Sequence, residues 1–239
     1  MTHRTNECSN HPSHLELGEV PIGLLRHLPL LDRIALADPA LLNMEVAVRR
    51  LQAGETVYQE GQDAQHLFLV VTGSFKLVRV SANGQAIAVT LAMRGGGFGG
   101  LDLAAAVYPE SAVALTTSQV LAFPRAELSA LYTRHPMIAQ FLIELLAARL
   151  EYAEAKIFRL SGAPVRSRVA ATLLLIFDNG GGQAEEITLS RHDLASLTGM
   201  APETASRVVS TLQCEGVITS RRENITIVDR HRLAHAADF

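Results

Sequence analysis

Seven apolar residues, Ala139, Ile143, Leu146, Leu150, Ala153, Ile157 and Leu160, follow one another at steps of 4, 3, 4, 3, 4 and 3. That alternation puts them on one stripe of an α-helix, the a/d seam of a coiled coil. Pro136 stands ahead of the stripe and suits a first helical turn, where an amide hydrogen would lack an intrahelical acceptor. Ser161-Gly162-Ala163-Pro164 ends it and predicts a hinge. The seam runs about 32 Å at 1.5 Å per residue. That length exceeds the flank of a small domain, so the expectation is a second copy packed along it. Ile143, Leu146, Leu150, Ala153, Ile157 and Leu160 would form the dimer interface. The alternative is a helix packed on its own domain.

On either side of this helix the chain changes texture. From Leu51 to Phe123 it holds short β-rich runs, such as Leu67-Phe68-Leu69-Val70-Val71 and Phe75-Lys76-Leu77-Val78-Arg79-Val80, with turn signals between them. Asn83-Gly84 is the strongest of these, because both residues tolerate positive φ. Several short strands with turns at such intervals predict a small antiparallel roll. Met1 to about Val20 reads as a polar tail, and short helical segments are expected between Ile22 and Val48. The predicted division is 1–20 tail, 21–135 β-roll, 136–161 dimerisation helix and 162–239 a further domain, whose character the stretch beyond the hinge decides.

Ser190 to Gly216 is the most informative stretch beyond the hinge. Ser190 followed by Asp193 is a helix start, the hydroxyl accepting from a free backbone N–H and the carboxylate favoured by the helix dipole. Leu194, Ala195 and Leu197 form an inward face, Gly199 a reversal, and Pro202 opens a second helix whose inward face is Ala205, Val208, Val209 and Leu212. Two short helices crossing steeply need a small residue at their contact, here Ala195, and a glycine at the turn. Glu203, Thr204, Ser206 and Arg207 then face outward, where a recognition helix meets base edges. Val217 to Val228 reads as a hairpin wing with Arg221 and Arg222 at its tip, placed for phosphate contacts. The chain is expected to finish in that hairpin.

Composition limits the partners. The formal charge of −3 excludes coating nucleic acid through bulk charge. Cys8 and Cys214 are too few for a disulfide framework, a four-thiolate zinc site or a cysteine-ligated iron–sulfur cluster. No apolar run reaches the ~20 residues of a membrane helix and no secretory segment opens the chain, so a cytoplasmic location is expected, with no membrane partner. There is no Gly-x-Ser-x-Gly, His-Glu-x-x-His or P-loop lysine, and hence no expected catalytic residue. Cys8, His3, His11 and His14 are spaced too irregularly to predict a metal site. Gly95-Gly96-Gly97-Phe98-Gly99-Gly100 satisfies G-x-G-x-x-G, but Leu101 to Pro109 is too short for the helix a dinucleotide fold requires.

These motifs, in this order, resemble the CRP/FNR family of bacterial transcription regulators from about Leu51 to the end. Gly54-Glu55-Thr56-Val57, Gly61, Phe68-Leu69-Val70 and Val71-Thr72-Gly73-Ser74-Phe75-Lys76 are similar to that family's β-roll signature. Pro202-Glu203-Thr204-Ala205-Ser206-Arg207 resembles its recognition helix, in the form of the FNR and nitric-oxide-regulator branch. The resemblance implies an α+β fold: an N-terminal cyclic-nucleotide-binding-like β-roll, a long dimerisation helix and a C-terminal winged helix-turn-helix. It implies a homodimer on double-stranded DNA at an inverted repeat of TTGA-like half-sites, with RNA polymerase as a further partner. Arg207 would read guanine, Glu203 a cytosine or adenine amino group, and Ser206 would sit near thymine. Two departures stand out: Ala205 where a larger aliphatic residue is usual, and Ala201, a poor N-cap.

The resemblance also places an effector pocket at Gly99, Gly100, Leu101, Glu110 and Ser111 of the roll and at Ala153 and Glu154 of the long helix. Cyclic-nucleotide binders of the family carry Gly-Glu-Leu and Arg-Ser-Ala at the first two runs. Here the ribose-binding carboxylate is Gly100 and the phosphate-binding cation is Glu110, which repels phosphate. The expected effector is therefore not a cyclic nucleotide. Three alternatives stay open: a haem-dependent sensor of NO or CO using His14, His27 or His66, a regulator needing no effector, and a nucleotide-dependent enzyme.

Overall fold

The computed structural model describes residues 16–17, 46–84, 86–102, 104–132, 136–179 and 186–238. Among the described residues, nine strands build the N-terminal half: β1 Glu16–Leu17, β2 Ala47–Leu51, β3 Thr56–Tyr58, β4 His66–Thr72, β5 Ser74–Val80, β6 Ala86–Met93, β7 Gly97–Gly99, β8 Ser111–Ala114 and β9 Ser118–Pro124. They form two antiparallel sheets, ordered β1-β2-β9-β4-β7 and β3-β8-β5-β6. Strand β4 shows why its apolar run lacks alternation. Phe68 and Val70 point into the space between the sheets, while Leu67, Leu69 and Val71 point to the other face, against a helix. A strand covered on both faces needs apolar residues throughout.

Helix α1 (Arg125–Tyr132) leads into α2 (Pro136–Gly162), the long helix expected from the seam. Ile138, Phe141, Leu142 and Leu145 of α2 are buried against β4 and β9, at helical spacing. The seam lies on a different face: Ile143 and Ile157 are each 64% exposed, and Leu146, Leu150 and Leu160 are exposed as well. Two apolar stripes thus share one helix; among the described residues the first is buried and most of the second faces solvent.

Beyond the hinge come α3 (Val165–Asn179), β10 (Glu186–Thr188), α4 (Arg191–Thr198), α5 (Pro202–Cys214), β11 (Ile218–Arg221), β12 (Asn224–Ile227) and α6 (Arg230–Ala237). The strands form an antiparallel sheet ordered β10-β12-β11. Leu173, Leu194, Val209, Leu212, Ile225 and Leu233 share one core, which extends onto Ala88, Leu91 and Leu115 of the roll.

Three sequence expectations need correction. Glu16–Leu17, inside the expected tail, pairs with Val48 and Ala47. Those two residues lie in β2, not in a helical segment, because their backbone groups bond β9 on the opposite side. The chain does not finish in a hairpin: Asp229 caps α6 by accepting from the Arg232 amide, and Leu233 and Ala236 seal the core.

Candidate nucleic-acid interface

The start of α4 is built as the sequence predicts and carries an additional contact. Ser190 has extended backbone angles, and its hydroxyl accepts from the Asp193 amide at 3.0 Å. The same hydroxyl donates to one carboxylate oxygen of Asp193 at 2.8 Å. The other oxygen pairs with the Lys76 ammonium on β5. Burial lowers the Lys76 pKa from its ordinary value. Three residues later in the same helix, the Ser196 hydroxyl accepts from the Ala88 amide at 2.7 Å and bonds the Ala86 carbonyl at 3.2 Å. Helix α4 is therefore seated on the β5–β6 hairpin through side-chain bonds, none of which local sequence patterns disclose.

Gly199 ends α4 at φ +62°, ψ 48°, a left-handed conformation that other residues adopt at a cost. An added Cβ would also meet Leu160 of α2 at 2.7 Å. Arg168 of α3 donates to the Thr198 carbonyl at 3.0 Å, satisfying a helix-end acceptor. Pro202 stands in the first turn of α5, and Ala201 provides no side-chain cap bond.

Ala205, Val208, Val209 and Leu212 are buried, with Ala205 beside the α4 face that carries Ala195. Glu203 and Arg207 are exposed, and Thr204 and Ser206 half-buried, so all four stay outside the core. The β11–β12 turn presents Arg221 and Arg222 to solvent, Arg222 at φ +55°. Arg191, at the start of α4, donates to the Ser220 hydroxyl and ties this wing to the first helix. One short helix and one hairpin tip thus offer an acceptor, two hydroxyls and three guanidinium groups to solvent, a donor and acceptor set suited to base edges and phosphates.

In the roll, Gly99, Gly100 and Leu101 are buried, and a Cβ on Gly100 would fall 2.2 Å from the Arg125 side chain. Arg125 fills that space and donates to the carbonyls of Ala64 and Asp102. Glu110 is 3% exposed and accepts from Arg149 of α2 at 2.9 Å. Tyr58 stacks on Tyr108 with ring centroids 3.7 Å apart, and Phe68 on Phe98 at 5.4 Å. Burial, then the Glu110 carboxylate, pushes the Tyr58 hydroxyl well above the ordinary phenol range. Ser111 accepts from the Glu60 amide. Of the helix residues expected at this pocket, Ala153 is half-buried and Glu154 exposed.

Of the histidines considered as haem ligands, His66 is half-buried on β4, its ring 6.0 Å from that of Phe68, and His14 and His27 lie outside the described residues, as do Cys8, His3 and His11. Among the described residues no group of three or more His, Cys, Asp or Glu could hold a metal ion, and no helix is long and apolar enough to cross a membrane.

Residues 48–135 match the cyclic nucleotide-binding domain family, and residues 167–236 match the Crp-like helix-turn-helix domain family. The cyclic AMP receptor protein of Thermus thermophilus is 36% identical over 166 residues, covering 69% of this chain and 76% of that protein. The chain belongs to the CRP/FNR family of transcription regulators. The fumarate and nitrate reduction regulatory protein of Escherichia coli is 25% identical over 192 residues, covering 78% of this chain and 77% of its own length. FixK2 from Bradyrhizobium japonicum superimposes with a TM-score of 0.68 at 25% identity, covering 81% of this chain and 98% of FixK2. CRP/FNR membership accounts for the roll, the long helix and the helix-turn-helix together, and makes the chain a DNA-binding regulator rather than an enzyme.

Proposed function

We propose that this regulator acts as a homodimer on an inverted repeat of TTGA-like half-sites. Glu203, Thr204, Ser206 and Arg207 read bases, and Arg221 and Arg222 hold phosphates. The observation that carries this is the division of α5 into a buried face and a face bearing Glu203 and Arg207 in solvent. The exposed stripe from Ile143 to Leu160 supports the dimer, since an apolar seam of that length is stable only when covered. Residues 21–135 would act as the sensor, 136–161 as the dimerisation helix and 162–239 as the reader, with RNA polymerase the further partner that family membership suggests.

The roll is proposed to answer to something other than a cyclic nucleotide. A phosphate there would face the Glu110 carboxylate, already paired with Arg149, and a ribose would have to displace Arg125 from the space beside Gly100. The aromatic stacking of Tyr58 on Tyr108 and of Phe68 on Phe98 also favours a second reading, a roll that needs no effector. Selection of binding sites from random duplexes, with the wild type and Arg207→Ala, tests the reader. Removing a bidentate guanine interaction costs about 1–3 kcal/mol and relaxes one position. Unchanged site preference overturns the assignment, as does a monomer in sedimentation at micromolar concentration. Tight binding by the protein as purified, with no effect of added cyclic AMP, selects the effector-free form.

A further inference from the structure

A half-open crevice of about 20 Å³ lies where α2, α3 and α4 meet, across the hinge that joins the long helix to the DNA-binding half. Tyr152, Lys156 and Arg159 of α2 line it, at positions i, i+4 and i+7 on one helix face. Arg168 and Thr172 of α3 and Thr198 of α4 close the other side. Three cationic side chains therefore converge in one recess, and among the described residues no carboxylate lines it.

The bonds of Lys156 and Arg168 are to neutral acceptors. Lys156 donates to the Ala88 carbonyl and Arg168 to the Thr198 carbonyl, and the Nε of Arg168 is shielded from solvent without a hydrogen-bond partner. Burial lowers the Lys156 pKa and raises that of Tyr152 to about 12, so the phenol remains a neutral donor near pH 7. Like charges drawn together in a region of reduced dielectric repel one another, and their desolvation is offset only by a counter-charge. The residues lining the crevice supply none.

We propose that this crevice binds a small oxyanion of the phosphate class, held by Lys156, Arg159 and Arg168 with the Tyr152 hydroxyl. The anion is either free or the phosphoryl end of a larger molecule whose remainder stays outside. The crevice is too small to bury a nucleoside, and its open side leaves room for a tetrahedral anion seated against its walls. Because its walls come from both sides of the hinge, an occupant ties α4 to α2 and biases where the recognition helix points. That consequence, unlike the binding itself, rests on the DNA-reading assignment.

Inorganic phosphate is titrated into the full chain by calorimetry at constant ionic strength, with chloride as the balancing anion, and the unfolding midpoint is followed in parallel. Saturable binding and a saturable rise in midpoint are expected. Arg159→Gln should weaken binding at least ten-fold. It should leave the midpoint without phosphate unchanged or higher, because one repelling cation has gone. A lowered phosphate-free midpoint in Arg159→Gln overturns the uncompensated-charge argument. Lys156→Met is the second variant, also expected to weaken binding ten-fold. No saturable binding at millimolar phosphate overturns the proposal, and so does binding that neither variant alters. Adenosine monophosphate tested alongside identifies the source: tighter binding than phosphate indicates a phosphoryl-bearing molecule, equal binding a free anion. Arg207→Ala should bind phosphate normally, so a failure of base reading and a failure of this site are distinguished.

Discussion

The Glu110 carboxylate on the roll and the Arg149 guanidinium on the long helix meet at 2.9 Å, with the carboxylate almost wholly buried and the arginine side chain 30% exposed. One salt bridge therefore joins the roll to the helix that bears the apolar seam. It also neutralises a carboxylate that would otherwise sit alone in an aromatic interior.

Arg149→Ala leaves Glu110 buried without its partner. Breaking a fully buried pair costs about 3–5 kcal/mol, and an exposed one under about 1. The partial exposure of Arg149 places the expected loss at about 2 kcal/mol. Urea unfolding should show a lower midpoint with an unchanged slope. Glu110→Gln in the Arg149→Ala background should recover much of the stability, and a penalty that persists in the double variant would show that packing, not charge, is responsible.

Lys76 and Asp193 connect the roll to the first helix of the reader, beside the Ser196 bonds to the β5–β6 hairpin. Lys76→Met keeps the Ser190–Asp193 cap and removes only the contact between the two halves. The expected stability loss is about 1 kcal/mol, as suits a partly buried pair. Amide exchange should quicken in α4 and in β5–β6 while α2 keeps its protection. Equal change throughout the chain would mean that the contact does not act locally.

Much of the reader was legible because each signal has a local mechanism. Ser190, Gly199 and Pro202 act within a few residues of themselves, and the buried set Ala205, Val208, Val209 and Leu212 follows from helical spacing alone. Strand β2 was hidden by Arg49, an arginine at an inward position between Ala47 and Leu51, where it donates to the Val57 carbonyl. An inward charge breaks the alternation by which a strand is recognised. Helix α6 was hidden because Leu233 and Ala236 alone bury its apolar face. The contacts of Arg125 with Gly100, of Glu110 with Arg149 and of Lys76 with Asp193 join segments 25 to 117 residues apart, and such pairings are set by the folded topology.

Gly199→Ala should destabilise more than Gly216→Ala. Both glycines have positive φ, which costs a residue with a Cβ about 1–2 kcal/mol. A Cβ at Gly216 meets nothing within 4 Å, whereas at Gly199 it meets Leu160. Comparing the two unfolding free energies isolates the contact between the helix-turn-helix and the end of α2. Leu160→Ala in the Gly199→Ala background should narrow the gap, and equal penalties for the two glycines would mean that Leu160 yields freely.

Burial, followed by the nearby Arg49 guanidinium, lowers the His66 pKa. The folded state then holds fewer protons at this site than the unfolded chain, whose histidine titrates near about 6.5. The contribution to stability is complete above that value and is lost as pH falls through the depressed folded value. His66→Gln should flatten the decline in unfolding free energy between about pH 7 and about pH 5. An unaltered slope would mean that His66 is hydrated in the folded state.

Arg207 and the wing-tip arginines should separate in their salt response. A cation held against a DNA phosphate releases a condensed counterion, so removing one such cation lowers the slope of log affinity against log salt by about 0.9. Arg222→Ala, acting once in each subunit of the proposed dimer, should reduce that slope by about 2 per duplex and weaken all sequences alike. Arg207→Ala should instead narrow the gap between the selected site and a variant at the guanine position. Its effect on random duplex should be smaller, because a base contact contributes little where the base is wrong. If Arg222→Ala alters sequence preference and leaves the salt slope intact, the wing would have to lie against base edges, and the arrangement of α5 in the major groove with the hairpin on the backbone would be wrong.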